Sequence, residues 1–299
     1  KVLEENKIIG RITIPTDLTV PYQTLVERMA DAVRQMLENA GMTLEQCGGI
    51  GIGSPGTIDA KQGVILYSNN FGWENVPIVE ELKKHLDTRI EIANDADAAA
   101  LGEVCAGAAE GAENAVLLTL GTGVGSGVIL DKKIFRGAMP GGCELGHLSI
   151  RYDGIRCTCG RKGCLEAYAS ASALLRIARE KAAEHPESIM NEMCGNDLEQ
   201  MNGKIPFDAA KAGDEAGMET VKEYEGYLAC GIANVINTFR PEKVILGGGV
   251  AAQKDNLTAP LKDLVKDMCF GGSHGHIADI VTSVLGNDAG IIGAANLVV

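Results

Sequence analysis

The chain has 299 residues, 45% of them apolar and 22% charged, enough to bury a sizeable core in one large or two modest domains. Its 27 basic and 40 acidic residues leave a net charge of −13, which argues against nucleic acid or an anionic membrane as partner and for a small-molecule substrate. No apolar run approaches the roughly 18 residues that span a bilayer, and the N-terminus lacks the layout of a signal peptide, so the expected compartment is the cytoplasm.

Taken in chain order, Leu25, Met29, Val33, Met36 and Leu37 recur at helical spacing between Pro21 and Ala40, and Gly41 follows as a stop, which predicts an amphipathic helix. Gly49 to Gly53 reads as a strand ending in the turn Ser54-Pro55-Gly56, and Gly63 to Tyr67 as an extended stretch. Pro77 opens a helix to Leu86, Arg89 to Ala93 is a strand, and Ala96 to Ala109 is an alanine-rich helix. Strand Ala115 to Leu120 leads into the glycine tract 121–127 and out through Val128 to Leu130, a hairpin with a glycine tip. Helical patterning covers Leu165 to Ala182 and Glu215 to Phe239, with an irregular tract between them, and Arg240-Pro241 ends the second helix. Lys243 to Leu246 is a strand, Gly247-Gly248-Gly249 a loop, Ile280 to Leu285 a strand and Ala289 to Val299 a closing helix. Strands alternating with helices predict an α/β fold.

Nine cysteines, three of them within residues 157–164, fit a metal site in a reducing compartment better than a disulfide framework. Cys157, Cys159, Cys164 and the upstream His147 supply three thiolates and one imidazole, a complete tetrahedral shell with no open position, so the expected ion is a structural Zn²⁺. Glycines 154, 160 and 163 permit the tight turns of such a knuckle. Glu144 and Glu166 lie within three residues of a ligand, and the ion would hold both carboxylates where sugar hydroxyls can donate to them.

Asn94-Asp95-Ala96-Asp97 stands at a strand-to-helix junction, where a carboxylate either caps the helix or accepts a hydroxyl proton from a ligand at the strand ends. Asp97 is the weaker candidate for the second role. The tract 121–127 offers unobstructed backbone amides and the Thr122 hydroxyl to nucleotide phosphates. It departs from the dinucleotide pattern at Ser126, and no P-loop signature occurs. Gly247, Gly248 and Gly249 allow either the approach of a flat group such as adenine or a tight turn.

Together these segments resemble the ROK family of sugar kinases and repressors across almost the whole chain. The match is carried by Gly142-Cys143-Glu144-Leu145-Gly146-His147, Cys157-Thr158-Cys159-Gly160, Gly163-Cys164-Leu165-Glu166, and the run Asn94 to Glu103. The resemblance implies a two-lobed ATPase fold of the actin, Hsp70 and hexokinase type (ribonuclease H-like), with residues 1–117 and 287–299 in the smaller lobe and 118–286 in the larger. It implies Asp95 as catalytic base and Gly56, Asn69, Asn94, Asp95, Glu144, His147 and Glu166 around the sugar. Gly121, Thr122, Gly123, Gly247, Gly248 and Gly249 would contact ATP, accompanied by Mg²⁺.

The segments Gly72-Trp73-Glu74-Asn75-Val76-Pro77 and 180–214 place the chain nearest the bacterial glucokinases, with glucose phosphorylated at O6 and a homodimer as the expected assembly. N-acetylmannosamine and N-acetylglucosamine are the alternative substrates, and a non-catalytic sugar sensor is the alternative role. A repressor would need a basic helix-turn-helix, and none precedes Gly10. The resemblance also implies an Asp-x-Gly-Gly-Thr phosphate loop near the N-terminal end, and that motif does not occur within the 299 residues.

Overall fold

The computed structural model describes residues 2–4, 6–275 and 277–299, with the backbone alone for residues 2–4. The first part of the chain forms β1 (Val2–Glu4), β2 (Lys7–Gly10), α1 (Tyr22–Asn39), β3 (Ile50–Ser54), β4 (Thr57–Asp59), β5 (Val64–Ser68), β6 (Trp73–Val76), α2 (Ile78–Lys83), β7 (Ile90–Asn94) and α3 (Asp95–Ala106). Next come β8 (Ala115–Leu120), β9 (Val124–Leu130), β10 (Lys133–Ile134), α4 (Glu166–Ala169), α5 (Ala171–Glu184), α6 (Ile189–Met193), α7 (Ile205–Lys211) and α8 (Glu215–Phe239). The chain closes with β11 (Lys243–Gly247), α9 (Asp255–Met268), β12 (Asp279–Thr282) and α10 (Asp288–Asn296). Strands and helices interleave throughout, the α/β pattern that the sequence predicts.

Two compact units result. The first comprises the residues up to Glu113, Gly127–Cys143 and Val284–Val299, and the second comprises Asn114–Ser126 and Glu144–Ser283. Gly127–Cys143 thus groups with the first unit, whereas the division expected from the sequence puts it in the second. The reason is local packing: Gly127 lies so close to the Ala96 carbonyl that a Cβ would come within 2.5 Å, and Gly141 donates to the Ile58 carbonyl at 3.3 Å.

In the first unit β3 runs parallel to β7, in register from Ile50↔Ile90 to Ser54↔Asn94, and β4, β5 and β6 form an antiparallel meander. Val26, Ile58, Ile65, Ile78, Leu82 and Ile92 form its buried core. Helix α10 lies against α3 through small residues. A Cβ on Gly293 would come within 1.6 Å of the Ala98 carbonyl oxygen, so the two backbones touch and α3 is fixed in place.

In the second unit β8, β11 and β12 are parallel, in that order from β8 to β12, with Lys243 opposite both Ala115 and Asp279. Helix α8 packs on α5, α7 and α9, and its buried Tyr224 hydroxyl donates to the Ala169 carbonyl at 2.8 Å. Among the described residues no helix is long and apolar enough to cross a membrane.

Local departures from the sequence reading have physical causes. The helical pattern 165–182 breaks at Ser170, whose hydroxyl caps α5 by accepting the Ala173 N–H at 3.1 Å. The tract expected to be irregular holds α6 and α7, which bury Met190, Ile205 and Ala209. Helix α9 has its signal in Leu257, Leu261 and Val265, all fully buried, at a spacing of four that the reading passed over. The glycine tip is confined to 121–123, because Val124 to Gly127 already belong to β9.

Candidate functional site

The first unit gathers Gly56, Asn69, Asn94 and Asp95. Strand β7 ends at Asn94, which is the N-cap of α3: its Oδ1 accepts the N–H of Ala96 at 2.8 Å and that of Asp97 at 3.4 Å. Its Nδ2 donates to the Gly56 carbonyl at 3.1 Å. Gly56 has φ +112°, and a Cβ there would stand 2.2 Å from the Tyr67 carbonyl oxygen, so the turn after β3 must be glycine to lie on β5. The Tyr67 hydroxyl donates to Asn69 Oδ1 at 3.3 Å, which keeps Asn69 at the end of that strand.

Asp95 is the first residue of α3 and is exposed, and its Oδ1 also accepts the Ala96 N–H, at 3.0 Å. It lines a cavity of about 930 Å³ with Gly53, Asn287 and Gly290. Asn94 and the buried Asp97 line a different cavity of about 130 Å³, bounded by Arg136 and Gly142. Asp97, the weaker candidate for the base, lines this second cavity and not the one beside Asp95.

The second unit gathers every other predicted position. Strands β8 and β11 are parallel neighbours with Thr119 opposite Gly247, so the tract that follows β8 and the loop that follows β11 emerge at the same sheet edge. Gly248, at φ +82°, lies against Leu120, where a Cβ would come within 2.5 Å of the carbonyl oxygen. The carbonyls of Gly121 and Thr122 accept from Ala171 N at 2.8 Å and Ser172 Oγ at 2.9 Å, which ties the tract to the start of α5. Thr122 itself is exposed.

His147, Cys157, Cys159 and Cys164 converge, with one donor atom from each lying within 4.8 Å of the others. Cys159 Sγ and Cys164 Sγ are 3.7 Å apart, as are His147 Nδ1 and Cys157 Sγ. Sulfur ligands about 2.3 Å from a tetrahedral ion stand about 3.8 Å from one another, so this donor set fits zinc. The knuckle is shaped by its backbone. Cys157 N donates to the Arg161 carbonyl at 2.7 Å, and Gly163, at φ +77°, passes so close to Arg151 that a Cβ would fall 1.6 Å from its carbonyl oxygen. Burial, and then the neighbouring thiols of Cys159 and Cys157, push the Cys164 thiol up to about 12. A bound cation reverses that preference, since it ligates the thiolate. Because Nδ1 of His147 faces the thiols, Nε2 is the nitrogen left for another partner.

Glu144 is exposed and sits just before the short turn that bears His147, whose N–H donates to the Glu144 carbonyl at 3.0 Å. Glu166 opens α4. Its Oε1 accepts Thr158 Oγ1 at 3.0 Å and lies 3.3 Å from Cys157 Sγ, and its Oε2 accepts the Val124 N–H at 3.0 Å. Thr158 escaped the sequence reading although it lies between two ligand cysteines.

Comparison with known proteins identifies the family. A profile of the ROK family matches residues 4–299. A glucokinase of Thermotoga maritima is 36% identical over 298 residues, covering 99% of this chain and 92% of the relative, and one of Halalkalibacterium halodurans is 35% identical, covering 98% and 88%. The crystal structure of a ROK family glucokinase from Streptomyces griseus in complex with glucose and AMPPNP superposes with a TM-score of 0.79 at 31% identity, covering 99% of this chain and 93% of that one.

Proposed function

Since the chain belongs to the ROK family, we propose that it transfers the γ-phosphoryl group of ATP to the O6 hydroxyl of glucose. Sugar kinase activity is the broader reading, and glucose is favoured by the glucokinases to which the chain is similar over nearly its full length. The observation that carries the chemistry is the position of Asp95, an exposed carboxylate at a helix start whose cap is supplied by Asn94.

In this mechanism Asp95 takes the proton from O6 as the O6–phosphorus bond forms, and the bond from the γ-phosphorus to its bridging oxygen breaks to release ADP. Gly56, Asn69, Asn94, Glu144, Glu166 and the Nε2 of His147 hold the sugar hydroxyls in register for in-line attack. Amides of Gly121 and Gly123 and the Thr122 hydroxyl cradle the phosphates, and Gly247 to Gly249 give room for the adenosine. Mg²⁺ travels with the phosphate oxygens. Zinc, if held by His147, Cys157, Cys159 and Cys164, would supply structural order and take no direct part in the transfer. A cytoplasmic homodimer completes the proposal, with sedimentation analysis as the check on its size.

The test is ADP release from MgATP with glucose, mannose, N-acetylglucosamine and N-acetylmannosamine. Turnover highest with glucose supports the proposal. Turnover with an N-acetylhexosamine alone moves the substrate to that class, and sugar binding without turnover replaces the kinase by a sensor.

A further inference from the structure

The metal knuckle and the glycine tract are joined by two contacts that meet on one residue. Val124, the first residue after the tract, has its N–H held by Glu166 Oε2 at 3.0 Å. Its carbonyl lies against Gly146, where a Cβ would come within 2.0 Å of the oxygen. Glu166 lies two residues beyond ligand Cys164, and Gly146 immediately precedes ligand His147. The two segments that carry the four cluster residues therefore meet on Val124, one at its N–H and the other against its carbonyl. Leu145 strengthens the second contact, donating its N–H to Ser126 Oγ at 2.9 Å. Gly123 is matched to the first contact, because a Cβ there would stand 2.4 Å from Glu166 Oε2.

Glu166 is itself held by the knuckle. Thr158, between ligands Cys157 and Cys159, donates its hydroxyl to Oε1 at 3.0 Å. Any cation that clasps His147 and the three cysteines fixes the loop from which that hydroxyl is aimed. The same carboxylate then presents Oε2 to the Val124 amide.

We propose that metal occupancy of the knuckle sets the conformation of the Gly121–Val124 turn through Thr158 and Glu166, so that zinc and nucleotide bind with positive coupling. Thr158 is a positioning residue in this scheme. The nucleotide part rests on the kinase reading above, whereas the ordering of the turn does not. Coupling is reciprocal: the factor by which zinc tightens ADP is the factor by which ADP tightens zinc.

The experiment is hydrogen exchange by mass spectrometry on the full chain, zinc-loaded and chelator-stripped, with Thr158→Val and Glu166→Gln beside the wild type and metal content measured in each. Stripping zinc is expected to speed exchange of peptides covering 121–124 by about tenfold, the loss of one hydrogen bond to a charged acceptor. Thr158→Val gives a similar rise while zinc stays bound and Tm is unchanged, a combination that general loosening of the fold does not produce. Glu166→Gln retains one acceptor for Val124 and one group for Thr158, and keeps most of the protection. ADP affinity, titrated without sugar, falls by about tenfold on stripping. Exchange over 121–124 within twofold of the loaded wild type, in both stripped protein and Thr158→Val, overturns the proposal. If exchange responds and no sugar is phosphorylated, the coupling stands and the kinase reading fails. If glucose is phosphorylated and exchange does not respond, the coupling alone fails.

Discussion

Asn94 Oδ1 accepts the backbone N–H of Ala96 at 2.8 Å, so the helix that begins with Asp95 draws its cap from the residue before it. Asp95 shares that N–H through Oδ1 only, at 3.0 Å, and stays exposed. A carboxylate whose second oxygen lies outside the cap can accept a proton without unwinding the helix.

Asp95→Asn is therefore expected to keep the fold and glucose binding and to lower turnover by about 10² to 10⁴. Calorimetric titration with glucose and an ADP-release assay check both halves. A variant retaining more than about a tenth of the wild-type rate removes Asp95 from the role of base.

Cys159 is the exposed member of the cluster that could hold a metal ion, so its loss would open the shell without leaving a hole in the core. Cys159→Ser is expected to weaken zinc binding by at least about tenfold and glucose affinity along with it, because Glu166 and His147 lose their anchor. Metal analysis showing full zinc retention with unchanged glucose affinity contradicts this.

Glu225 in α8 is buried, its Oε1 meets no hydrogen-bond donor among the described residues, and burial raises its carboxyl from 4.5 to about 7. Between pH 4.5 and 7 the unfolded chain has released this proton and the folded chain still holds it, so stability falls across that window and levels off above it. The full loss is about 3 kcal/mol. Glu225→Gln should match the wild type near pH 4.5 and melt at higher temperature at pH 8. Equal Tm shifts at both pH values would show that ionisation of Glu225 is not involved.

Gly293→Ala places a methyl group against the Ala98 backbone, where the carbonyl oxygen is 1.6 Å away, and cannot be relieved by a side-chain rotation. It should cost about 1 to 3 kcal/mol by forcing α10 away from α3. Chemical denaturation measures the cost, and turnover is expected to fall as well because α3 carries Asp95 at its start.

Much of the fold was legible because its signals are local. The helix predicted over Pro21 to Ala40 is α1 to within one residue, since Pro21 and Gly41 bracket an uninterrupted stripe of Leu25, Met29, Val33, Met36 and Leu37. Helix α8 ends where Arg240 takes φ +49° before Pro241. Ser170 was harder to see, because a serine within a helical pattern becomes a cap only when the preceding turn α4 is held elsewhere, here by the Tyr224 hydroxyl on the Ala169 carbonyl.

The sequence by itself determined the cluster that could hold a metal ion, because three cysteines within eight residues and two glycines at positive φ bring thiols together by local turns. It also placed Asp95 at a strand-to-helix junction, since the β-rich run before Asn94 and the alanine run after it are each local patterns. Only the tertiary structure decided what those groups touch. The Val124 amide meets Glu166 from 42 positions away, and Gly248 meets Leu120 because β8 and β11 are neighbours in one parallel sheet. Parallel pairing joins segments far apart in sequence, and its register depends on side chains packing across the whole unit, which no window of residues contains.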